Sequence, residues 1–109
     1  MRKSRSMNNV LERPPQKLLS APSVAIEYPK QDEVVRHPEY TVRICAREHA
    51  DAVEVAFDQG DWQPCREALG FWWFDWKGFD SGEHEIVARS RKNGLNSRSE
   101  AREFFVRLD

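Results

Sequence analysis

From residue 23 onward, apolar and polar side chains alternate with a period of two, interrupted every eight to twelve residues by Gly, Pro, Asn or Asp. Successive side chains of a strand point to opposite faces, so this alternation predicts strands that bury one face. Residues 23–28 read as a first strand stopped by Pro29, with a short continuation over 33–36 ending before Pro38. Residues 40–47 form a second strand with Tyr40, Val42, Ile44 and Ala46 inward, and residues 52–58 a third with Val53, Val55 and Phe57 inward. The turn cluster Asp58-Gln59-Gly60-Asp61, with Gly60 available for positive φ, leads into a return strand cut short by Pro64, which suits a sheet edge. A fifth strand spans the aromatic run 70–76, a sixth points His84, Ile86, Ala88 and Ser90 inward, and after a turn at Lys92-Asn93-Gly94 a seventh carries Phe104, Val106 and Leu108. About seven short strands and no helical period predict an all-β fold, an antiparallel β-sandwich.

The run Gly70-Phe71-Trp72-Trp73-Phe74-Asp75-Trp76 is aromatic in both registers, so the strand cannot bury all of it on one face. Placing Trp72, Phe74 and Trp76 in the core sends Phe71, Trp73 and Asp75 to the outer face.

Composition divides the chain in two. Of its 109 residues 39% are apolar, below the roughly 45–50% of an average globular chain that also counts Gly, as expected if part of it stays outside the core. Residues 1–22 carry Arg2, Lys3, Arg5, Arg13 and Lys17 against Glu12, a net of +4; the whole chain is at −1, which leaves −5 for the rest. This predicts a disordered basic leader or linker over 1–22 before a single sandwich domain over 23–109. Clustered cations suit nucleic acid or anionic lipid, but a solvated leader or linker with no partner is the preferred reading. Val10-Leu11 and Leu18-Leu19 are too far apart for the apolar stretch of a secretory signal, and no window approaches the roughly 20 apolar residues of a membrane span. A soluble, cytoplasmic chain without a membrane partner is expected.

Catalytic and metal chemistry finds little support. Cys45 and Cys65 belong to no C-x-x-C pair, Cys45 falls out of phase with the core, and both read as free thiols. His37, His49 and His84 show no ligand spacing, and the serines sit in no nucleophile elbow. The Gly residues are isolated turn residues, not a phosphate loop. No enzyme and no cofactor is expected.

The order Val53-Glu54-Val55-Ala56-Phe57-Asp58-x-Gly60-x-Trp62, then Trp73-x-x-Trp76, then Gly82-x-His84-x-Ile86-Val87-Ala88-Arg89-Ser90-x-x-x-Gly94 resembles the bacterial immunoglobulin-like domains of the early-set (E-set) class. It is similar in particular to the C-terminal dimerisation domain of sulfite-oxidase-type enzymes, over about residues 23–108. The resemblance implies an immunoglobulin-like sandwich with the second and fifth strands paired in one sheet and the third, sixth and seventh in the other. A chain of this length has no room for the large cofactor domain of those enzymes, so molybdenum chemistry is not carried over. His84 stands where the resemblance places a tyrosine corner, as a packed imidazole bonded to a nearby backbone group.

On the outer face of the first sheet, Arg43, Cys45 and Arg47 become cross-strand neighbours of Phe71 and Trp73. Three readings of Trp73 follow: a ring covered by Arg43 or Arg47, an anchor for a protein partner or a second copy of the chain, or a stacking platform for sugar, with Trp62 as a second platform. The expected function is a noncatalytic interaction or self-association module using Phe71, Trp73, Arg43 and Arg47. Carbohydrate binding is the alternative, and nucleic-acid contact through the leader a further one. The other sheet, with Glu54, Asp58, Glu85, Arg89 and Arg91, reads as an ordinary solvated face of mixed charge.

Overall fold

A computed structural model describes residues 23–47 and 49–109; the leader expected over 1–22 lies outside the described residues. Two sheets pack face to face. The first has the order β1 (Val24–Tyr28), β3 (Glu39–Ala46), β7 (Phe71–Lys77), β6 (Arg66–Ala68). The second has the order β2 (Val34–Val35), β10 (Arg102–Val106), β8 (Gly82–Lys92), β4 (Ala52–Phe57), β5 (Gln63–Pro64), and β9 (Leu95–Arg98) pairs with the end of β8 beyond β10.

The inward registers meet in one core of Val24, Ile26, Val42, Ile44, Val53, Val55, Phe57, Trp72, Trp76, Ile86, Ala88, Phe104 and Val106, with Val35 and the loop residue Ala50. β1, β3, β4, β7, β8 and β10 contribute inward residues to it, as half-buried pleats require, whereas the short strands β5 and β6 and the strand β9 contribute none. Trp76 lies at its centre of stacking, its ring 4.4 Å from Phe57 on one side and 3.8 Å from the loop residue Phe79 on the other. Phe74 shares this inward face but is only partly buried, tilted against Phe57 at 5.7 Å. Ser90 ends the inward row of β8 as a buried polar residue.

The sandwich and the division of its main strands between sheets are as expected, and four local features differ. Ten strands replace about seven among the described residues, because two- and three-residue pairings carry no readable period. Residues 34–35 do not continue the first strand. After Pro29 the chain changes sheet, and β2 pairs with β10 in parallel, so the sandwich is not wholly antiparallel. The chain changes sheet again at Cys65, whose amide still donates to Val53 O at 2.9 Å before β6 joins β7 in the first sheet.

The hairpin after β4 also turns differently. Asp58 and Gln59 take the positive φ values, 52° and 62°, and Gly60 N donates to Phe57 O at 2.8 Å. That is a type I′ turn with ordinary side chains at both central positions. Gly60 instead answers a close approach, since a Cβ there would lie 3.0 Å from Phe57 O.

Candidate interaction surface

The outer face of the first sheet gathers the candidate residues through its register. Arg43 on β3 stands opposite Trp73 on β7, Trp73 stands opposite Arg66 on β6, and Phe71 stands opposite Ala68. A β-bulge adds Tyr28. Ile26 pairs with Ile44, yet Tyr28 pairs with Arg43, so Glu27 is the extra residue and Tyr28 is turned from the inward row of Val24 and Ile26 to the outer face. The alternation of residues 23–28 alone could not show this.

Arg43 does not cover Trp73. Its guanidinium carbon lies 4.4 Å from the Phe71 ring centroid and 4.9 Å from that of Tyr28, while Nη2 donates to Glu27 Oε1 at 2.8 Å. Arg43 Nε is buried without a hydrogen-bond partner, which leaves the guanidinium held by its ring contacts and one carboxylate. Lys30 Nζ lies 4.7 Å from the Tyr28 ring and extends the row. Arg47 lies just past the end of β3 and is exposed, its amide donating to Ser23 O at 2.7 Å.

Trp73 is half-buried and fixed in place. Its Nε1–H donates to Ala68 O at 2.8 Å, and its ring meets Phe71 edge-on at 5.9 Å. Beside it Arg66 Nη1 donates to Asp75 Oδ2 at 2.9 Å, and Thr41 Oγ1 donates to Asp75 Oδ1 at 3.1 Å. Such exposed pairs contribute little stability, about 0–1 kcal/mol each, but they set donors and acceptors around the indole.

Sequence reasoning missed Leu69, the most exposed large apolar residue of this region. It is 88% exposed at the turn between β6 and β7 and has φ 56°, followed by Gly70 at φ 81°. The left-handed region costs a bulky L-residue about 1–2 kcal/mol, and Asn or Gly would serve the turn better. Strain together with exposure, two residues from Phe71, marks this turn.

On the opposite sheet two arginines cover a tryptophan. Arg89 Cζ lies 4.3 Å and Arg98 Cζ 5.2 Å from the Trp62 ring, and Arg89 is held by Glu54 Oε1 through Nε at 2.8 Å and Nη2 at 2.7 Å. Trp62 is thereby packed as part of the face and is not an open platform. Cys45 and Cys65 are free thiols, and burial, with a contribution from Glu54, pushes the Cys65 thiol up to about 12. No group of three or more His, Cys, Asp or Glu among the described residues could hold a metal ion. No helix among them is long and apolar enough to cross a membrane.

Comparison with known proteins assigns a fold. No protein-family model matches the chain, and no curated protein matches it. Among solved structures it is similar to an endo-beta-1,4-mannanase from Thermotoga petrophila (TM-score 0.69, 14% identity, 94% of this chain and 26% of that one). It is similar also to fibronectin(III)-like modules of Clostridium thermocellum CbhA (TM-score 0.67, 13% identity, 79% of this chain and 97% of that one). An engineered protein matches at TM-score 0.67 and 18% identity over 98% of this chain and 22% of that one. The chain thus spans about a quarter of the mannanase chain but nearly the whole of the fibronectin(III)-like module. At these identities the likeness establishes an immunoglobulin-like, fibronectin(III)-like β-sandwich and nothing finer. The expected likeness to sulfite-oxidase-type dimerisation domains is not shown by these neighbours.

Proposed function

We propose that this sandwich is a noncatalytic protein-binding module that docks through the outer face of the β1-β3-β7-β6 sheet. Leu69 carries the reading: an apolar side chain is kept almost fully exposed in a left-handed conformation, where a polar turn residue would be cheaper for the fold. Phe71, Trp73 and Tyr28 extend this apolar surface, and Arg43 and Arg66 border it, a composition favoured at protein interfaces. The likeness to a module that spans nearly all of its own chain supports a binding unit over a catalytic one.

The test compares wild type with a Leu69→Asn, Trp73→Ala double variant, by sedimentation over the micromolar range and by identifying which proteins each recovers. Self-association, or one defined partner, that is lost in the variant while its melting temperature is kept supports the module. A chain that is monomeric at all concentrations and recovers the same proteins in both forms rules the surface out.

Carbohydrate is the second reading, favoured by the fixed, half-exposed Trp73 beside the Arg66, Asp75 and Thr41 group and by the mannanase among the structural neighbours. A glycan panel that leaves the tryptophan fluorescence of the chain unchanged removes it.

A further inference from the structure

At the other end of β7, away from Leu69, a single imidazole joins two loops. His84, with 12% of its side chain exposed, places Nδ1 2.7 Å from Asp58 Oδ2 and Nε2 2.7 Å from the Asp80 backbone oxygen. A carbonyl oxygen can only accept and a carboxylate accepts as well, so both ring nitrogens donate, which only the imidazolium can do. Asp58 is itself oriented, because its Oδ1 accepts from Glu85 N at 2.9 Å.

The 78–81 loop that His84 holds lies between two glycines. Gly78 at φ 76° and Gly82 at φ 130° flank it, values that an L side chain rarely adopts, and a Cβ at either would meet nothing within 4 Å, so backbone conformation and not close packing calls for glycine at both ends of the loop. Within the loop Phe79 stacks on Trp76 at 3.8 Å and Ser81 Oγ accepts from Leu108 N at 2.9 Å. Aromatic rings form the rest of the wall around His84: Trp76 edge-on at 5.1 Å from β7 and Phe104 at 5.9 Å from β10.

The charges that act on the ring are two carboxylates, Asp58 and Asp80. Asp58 comes from the turn after β4, Asp80 from the loop, and Glu83 and Glu85 flank His84 on β8. On β10, Glu103 stands opposite Glu85, beside Phe104, which stands opposite His84. We propose that His84 is a proton-dependent latch: protonated, it holds the 78–81 loop over Trp76, and deprotonated, it frees the loop and uncovers the Trp76 ring.

Neutral imidazole keeps one N–H. The charge-assisted bond to Asp58 outlasts the bond to a neutral carbonyl, so the Nε2 lone pair is left facing Asp80 O and that contact is lost. Burial pulls the His84 pKa down, but the hydrogen bonds to Asp80 and Asp58 and the charges of both carboxylates outweigh it, and the net direction is up from 6.5. The closed loop therefore binds the proton more tightly than the open one. Opening grows about tenfold per pH unit between the open-state and closed-state pKa values, then levels off. The latch is closed at low pH and released as pH rises through the closed-state value.

The test is a pH titration of the full chain by NMR, following the His84 ring nitrogens and the Phe79 ring protons, which the stacked indole shifts from their free values. The expected result is an imidazolium at about pH 6, a His84 midpoint above 6.5, and Phe79 shifts that relax towards free values with the same midpoint. Asp58→Asn keeps an acceptor for Glu85 N and removes the carboxylate from the imidazole, and it should lower both midpoints together. A neutral ring at about pH 6, or Phe79 shifts unchanged while His84 titrates, overturns the latch; both are read on the wild-type chain, whatever the variant does.

Discussion

Trp73 and Trp76 lie three residues apart on one strand and face opposite ways, which gives them separable effects. Trp76 is enclosed between Phe57 and Phe79 with Phe104 against its edge, so Trp76→Ala should cost about 3–5 kcal/mol, as for emptying any large buried aromatic site. Trp72, also buried, belongs to the same range. Trp73→Ala removes a half-exposed ring and one hydrogen bond to a carbonyl that water can reach, and should cost under about 1.5 kcal/mol. Urea denaturation of the three variants checks the order, and a Trp73→Ala cost equal to that of Trp76→Ala would mean that the outer face is not a surface. That the run divides between two faces was legible in the sequence from the strand period of two, but the period allows either row to face the core, and the burial of Trp72 and Trp76 decides it. The partner of Arg43 was not legible. Its cross-strand neighbour is Trp73, but a long side chain also reaches diagonal positions, and there the guanidinium finds Phe71, with Tyr28 supplied by the bulge.

At the scale of the element, long strands were readable and their connections were not. β3, β4, β7 and β8 each run six residues or more and show their inward row directly, whereas β5 and β6, at two and three residues, have too few positions to show any period. Turn chemistry misled in one place and was silent in another. Gly60 sits one residue past the left-handed pair of its hairpin, and Leu69 occupies a left-handed position for which its side chain gives no signal. The Leu69 turn yields a prediction in which stability and function move oppositely. Leu69→Asn should stabilise the fold by about 1 kcal/mol, because Asn tolerates the left-handed region, and should weaken whatever the outer face binds. Thermal melts and the sedimentation comparison read the two effects on the same variant. A destabilised Leu69→Asn would show that Leu69 packs in the fold, and would remove the main argument for the docking face.

At the scale of the molecule, the two sheets share a single core, and the apolar side chains on their outer faces form no second one. Val42 and Ile44 from one sheet and Val55, Ile86 and Phe104 from the other are all essentially inaccessible, so separating the sheets would expose the whole cluster at once. Each outer face is built from local rows instead: Tyr28, Arg43 and Phe71 on one, Glu54, Arg89 and Trp62 on the other, worth about 0.5–1 kcal/mol per exposed cation–aromatic contact. Contacts of that size can order a surface but cannot hold a sheet together by themselves. Unfolding should therefore be one cooperative transition. Trp62 and Trp73 lie on opposite faces while Trp72 and Trp76 emit from the core, so the fluorescence lost on Trp73→Phe reports one outer face and that lost on Trp62→Phe the other. Their fluorescence should change over the same urea range as the far-ultraviolet circular dichroism of each variant. A transition at Trp73 that comes clearly before the loss of strand signal would mean that the β1-β3-β7-β6 sheet opens separately, and a docking surface on it would then have to be ordered by its partner.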